Sequence, residues 1–94
     1  MPRKYPPLSL AELEVILTCW GFEKQKGHGT SHRRWNKVYR GRTFSVSVDE
    51  AIDEFDDYLI RMMIYQSGLK PDQFYAGSKS AARKANVTPL THAR

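Results

Sequence analysis

Two histidines lie four residues apart in Gly27-His28-Gly29-Thr30-Ser31-His32, a turn of glycines and short polar residues. Around it, residues 24–42 hold Lys24, Lys26, Arg33, Arg34, Lys37, Arg40 and Arg42, with no acid among them. Imidazole titrates near neutral pH, so it can take a proton from a ribose 2′-hydroxyl or give one to a leaving oxygen. Adjacent cations stabilise the charge that builds on a phosphoryl group in the transition state. Such chemistry asks for neither a metal nor a small-molecule cofactor. Two histidines in a glycine loop with no third ligand nearby also fall short of a zinc site. The single cysteine, Cys19, excludes an internal disulfide and a multi-cysteine zinc site. The plainer reading of a histidine on a surface turn is a solvated side chain, and from the residues alone both readings stand.

The acidic stretch 49–57 offers a partner carboxylate or a cation site, though its spacing fits no EF-hand. Charge at a helix N-terminus explains it more simply. The cations have two readings as well. With Trp35 and Tyr39 interleaved, they can track a phosphate backbone while an exposed ring stacks a base. Alternatively, the two rings belong to the core and the cations keep a sheet edge soluble. The net charge of +5 is unevenly spread. Residues 1–48 are basic, residues 49–74 acidic, and residues 75–94 carry four cations and no acid. A basic surface of this kind favours a polyanionic partner. The sequence has no Gly-rich phosphate loop and no Gly-x-Ser-x-Gly elbow.

The elements that must position these residues follow from local signals. Pro6-Pro7 keeps the lead-in out of helix. Ser9-Leu10-Ala11-Glu12 is a capping box, with Leu8 and Leu13 at the staple positions. Leu10, Leu13, Ile16, Leu17 and Trp20 recur at helical spacing, which predicts a helix over 10–20, closed by Gly21. Strands are expected at 22–26, 32–39 and 42–48, with a hairpin at Tyr39-Arg40-Gly41-Arg42. In the last strand Phe44, Val46 and Val48 alternate with Thr43, Ser45 and Ser47, giving one apolar and one polar face. Leu59, Ile60, Met63 and Ile64 predict a second helix over about 55–67, with Gly68 as its stop, and a short turn then anchors Phe74.

With 94 residues, the chain makes about one domain. The order predicts an α+β, two-layer α-β-β-β-α domain. It would have a three-stranded antiparallel sheet with two helices packed on one face and a polar, basic face left open. Residues 1–75 would form this domain. Residues 76–94, basic and without apolar periodicity, read as a flexible tail. No apolar run reaches the roughly 18 residues of a membrane span, and the reduced cysteine fits a cytoplasmic location.

The segments "LSLAELEVILTCWGFEKQKGHGTSHRRW", "RTFSVSV" and "DEFDDYLIRMMIYQSGLKPDQFY" resemble the HicA-like toxins of bacterial toxin–antitoxin modules. The shared pattern is a helix ending in Trp-Gly-Phe, a Gly-Ser-His turn, a hairpin, and a helix ending in glycine before a short Asp-x-Phe anchor. It covers about residues 6–75. The resemblance implies a double-stranded-RNA-binding-domain-like fold and a messenger-RNA endonuclease (an mRNA interferase) held in check by a HicB-like antitoxin. It assigns the catalytic imidazole to His32, preceded here by Thr30-Ser31 in place of Gly-Ser, with His28 as the second choice. Messenger RNA would lie across the strands, held by Lys24, Lys26, Ser31, Arg33, Arg34 and Lys37. Two other function classes fit the same residues. One is a non-catalytic nucleic-acid-binding module. The other is an interaction domain that docks a co-encoded protein.

Overall fold

The computed structural model describes residues 5–27 and 29–90. His28, the second-choice imidazole, lies outside them. The first helix, α1 (Leu10–Cys19), starts where the capping box requires. The Ser9 hydroxyl accepts the Glu12 amide at 3.2 Å, and the Glu12 carboxylate accepts the Ser9 amide at 2.9 Å. Leu8 and Leu13 staple the entry and are fully buried. The helix closes through two backbone bonds, Gly21 N–H to the Thr18 carbonyl and Phe22 N–H to the Leu17 carbonyl. Gly21 takes the left-handed φ of 90° that this ending needs.

The central sheet is β2 (Glu23–Lys24), β3 (His32–Tyr39) and β4 (Arg42–Asp49), antiparallel in the order β2-β3-β4. Arg40 and Gly41 both take positive φ, 51° and 75°, which is the two-residue turn whose twist matches a hairpin. That turn fixes the register from Tyr39↔Arg42 out to His32↔Asp49. Because strand side chains alternate, the register sorts every residue onto one of two faces. Trp35, Val46 and Val48 point into the core with Leu13, Ile16 and Leu17 of α1. Fully burying one such aliphatic side chain contributes about 1.5–3 kcal/mol.

The helix α2 (Asp57–Ser67) packs on the inner face of β4 through Ile60, Met63 and Ile64. Its N-cap is Asp56, whose carboxylate accepts the Leu59 amide at 3.0 Å. Gly68 ends it at φ 76°, and a β-carbon there would strike the Phe44 ring at 2.5 Å, so glycine is required twice over. These elements form the small α+β domain expected, a three-stranded antiparallel sheet with helices packed against it. A two-residue strand β1 (Leu8–Ser9) also pairs with β5 (Glu54–Phe55), tying the start of α1 to the segment before α2.

The region beyond residue 75 differs from the expectation of a flexible tail. A short helix α3 (Pro71–Ala76) buries Phe74 and Tyr75, and α4 (Lys79–Ala85) follows it. Ala81 and Ala82 are fully buried. Lys84 reaches the Pro7 carbonyl at 3.1 Å and Glu12 at 2.9 Å, and Ser80 donates to the same carboxylate at 2.5 Å. The burying residues are alanines, which carry little hydropathy and leave no apolar stripe to read. The caps were nonetheless present, with the Ser78 hydroxyl accepting the Ala81 amide and Asn86 in the left-handed conformation at φ 59°. Among the described residues no helix is long and apolar enough to cross a membrane.

Candidate functional site

The hairpin register carries His32, Arg34 and Asn36 to the open face, opposite Asp49, Ser47 and Ser45. There they line a cleft of about 490 Å³ together with Gln25, Lys26 and Thr30. Arg34 and Lys26 are its exposed cations. The floor is fixed by hydrogen bonds, with Ser45 donating to the Asn36 side-chain oxygen at 2.7 Å. The turn before β3 is held likewise, since the Thr30 hydroxyl accepts the His32 amide at 3.3 Å.

His32 is 71% exposed, and its Nε2 lies 3.7 Å from Asp49 Oδ2. That spacing is longer than a hydrogen bond and is an ion pair only with a protonated ring. The other carboxylate oxygen accepts the Ser31 hydroxyl at 2.7 Å and the Ala51 amide at 3.0 Å. The Ser31 bond and then the Ala51 bond hold the Asp49 carboxyl below its ordinary value of 3.8 against a desolvation cost, and the nearby imidazole adds a smaller lowering. Asp49 is therefore ionised at neutral pH. It faces the Nε2 side of the ring. Ser31 thus orients the carboxylate.

Lys24, Arg33 and Lys37 leave the sheet on its other face, although the Arg33 guanidinium also borders the cleft beside Gly27. Arg33 pairs with Val48 in register, and its guanidinium bonds Glu50 at 3.2 Å. It lies so close to Gly27 that a β-carbon there would meet it at 2.6 Å. Lys24 sits 2.8 Å from Glu50 and 3.4 Å from Glu14 of α1. The Lys24 bond, with Arg33 close by, keeps the Glu50 carboxyl below its usual range, and Glu50 in turn raises Lys24. Lys37 lies over the rings of Trp20, Phe22 and Tyr39, at 6.0, 5.6 and 5.4 Å. Trp35 is 5% exposed, so it belongs to the core and offers no stacking surface.

Of the residues named from sequence, the cleft thus gathers His32, Lys26 and Arg34, with Arg33 in its wall and Ser31 behind Asp49. Lys24 and Lys37 lie away from it. Asp49 was legible only as part of an acidic stretch. The hairpin turn held the sharper signal, because counting outward from Tyr39↔Arg42 sets Asp49 opposite His32. Among the described residues no group of three His, Cys, Asp or Glu side chains could hold a metal ion. Comparison of the chain with protein-family models, with curated proteins and with solved structures gave no match.

Proposed function

We propose that this protein is an endoribonuclease, the toxin of a toxin–antitoxin module, and that its RNA lies on the open face of the sheet. The observation that carries the reading is the juxtaposition of His32 with the cations Arg34 and Lys26 around one cleft, with the carboxylate Asp49 beside the imidazole in the adjoining hollow. The phosphate sits against Arg34 and Lys26, and the Thr30 hydroxyl and the amides of Gln25 and Asn36 line its surroundings. The His32 imidazole accepts the proton of the ribose 2′-hydroxyl. The 2′-oxygen then attacks phosphorus, the bond to the 5′-oxygen breaks, and solvent water protonates the leaving oxygen. Asp49 stabilises the imidazolium, and the cations stabilise the phosphorane charge. The toxin reading and the HicB-like antitoxin partner draw on the motif order over residues 6–75.

The test is induced expression of wild type and His32→Ala, following growth and total messenger RNA together. The expected result is growth arrest with RNA loss in wild type alone. Purified His32→Ala should cleave about 10²–10⁴-fold more slowly while binding RNA within a few-fold of wild type. Harmless accumulation of both folded proteins, with no cleavage by purified wild type, contradicts the nuclease reading. Salt-dependent RNA binding without cleavage would leave a binding module.

A further inference from the structure

The cleft is one end of a longer track. It shares His32 and Ser47 with a second hollow of about 250 Å³ that passes the free edge of β4. That hollow shares Met62 and Gln66 with a third, of about 430 Å³, on the outer side of α2. The path therefore runs from Lys26 and Arg34, past the imidazole, to Tyr58 and Tyr65. Tyr58, Met62 and Tyr65 sit at i, i+4 and i+7 on the helix face opposite the buried Ile60, Met63 and Ile64. Tyr65 is 88% exposed and Tyr58 58% exposed, so neither ring is part of the core. Gln66 joins the two ends by accepting the Ser47 amide at 3.1 Å, and its NH₂ group remains the donor end of that side chain.

Charge decides what this end of the track accepts. The α2 N-terminus begins with Asp57 and follows Asp53, Glu54 and Asp56, which repel phosphate, while Arg61, the cation that lines the third hollow, lies over the Tyr5 ring at 5.9 Å. The rings offer flat apolar surfaces, which suit an uncharged base. A base can stack on them only when it is unpaired and turned out of a helix.

We propose that the outer face of α2 is a base-stacking subsite, in which Tyr65, with Tyr58, holds an unpaired base of single-stranded RNA next to the phosphate at His32. This rests on the RNA-cleavage reading and adds its substrate class. The phosphates stay on the sheet side, and one or two bases cross the β4 edge.

The test uses fluorescence anisotropy of a labelled single-stranded RNA decamer, with every protein carrying His32→Ala so that no cleavage intervenes. Adding Tyr65→Ala should weaken binding roughly five- to thirtyfold and leave the salt dependence unchanged, because stacking releases no counterions. Tyr65→Phe should bind within about twofold of the parent. A duplex of the same sequence should bind more weakly and ignore Tyr65→Ala. Unchanged decamer affinity in Tyr65→Ala and Tyr58→Ala, with Arg34→Ala still weakening binding, overturns the subsite alone. The face would then fit a protein partner. Equal losses in Tyr65→Phe and Tyr65→Ala overturn stacking. No RNA binding by the parent overturns both the subsite and the RNA reading beneath it.

Discussion

Arg33 and Arg34 are adjacent in the chain and belong to opposite faces of one sheet. Arg33 is half-buried against Glu50 and Gly27 and shares that acid with Lys24. Arg34 is exposed beside His32 in the open cleft. On the helix side, cations are neutralised by Glu14 and Glu50 or spread over aromatic rings. On the open side, Arg34 and Lys26 pair with no acid among the described residues, while the carboxylate Asp49 is directed at the imidazole. Five cations of that run thus form two sets with different work. One set joins the sheet to α1 and the 50–52 turn, and the other faces solvent where a polyanion can reach it.

Substitutions can break this contrast. The largest effect is expected on the inner face. Trp35→Ala should lose about 3–5 kcal/mol of stability, whereas Asn36→Ala, next to it on the open face, should stay within about 1 kcal/mol. Urea denaturation checks both, and similar losses would mean that the open face is also core.

An intermediate effect is expected at Asp49. Asp49→Asn keeps an oxygen for Ser31 and Ala51 and removes only the charge facing His32. Cleavage should fall roughly tenfold with RNA affinity unchanged or slightly tighter, measured by single-turnover assay and anisotropy. Full activity would show that the imidazole works without the carboxylate.

The smallest effect sharpens the boundary of the domain. Burial raises the Glu12 carboxyl, but bonds from Ser80, the Ser9 amide and Lys84 outweigh it and leave it below 4.5. A carboxyl lowered in the folded state stabilises above its unfolded value and loses that contribution as pH falls through the folded one. Melting temperature should therefore drop as pH is lowered below 4.5, and Glu12→Gln should flatten that part of the profile. An unchanged profile in Glu12→Gln would mean that α4 is not held through this carboxylate.

Much of this architecture was legible because local rules and burial agree in it. Ser9 and Glu12 set the start of α1, the Arg40-Gly41 turn sets the hairpin, and Phe44, Val46 and Val48 declare the inner face. The site was only half legible. His32, Lys26 and Arg34 were named from residue type, but Lys24 and Lys37 look the same in a linear run. Strand parity and a Glu50 distant from Lys24 in sequence separate them. Helix α4 escaped because alanines bury without announcing it, and β1–β5 pairing rests on two residues from each end of the fold.

The most direct test of the two-faced sheet is a salt titration of single-stranded RNA affinity for wild type, Arg34→Ala and Arg33→Ala. With two or three phosphates contacted, wild type should show a log–log slope of about −1.5 to −2. Arg34→Ala should bind more weakly with a slope shallower by about 0.7, while Arg33→Ala should keep the wild-type slope and melt at a lower temperature. A slope loss in Arg33→Ala equal to or larger than that in Arg34→Ala would contradict the account.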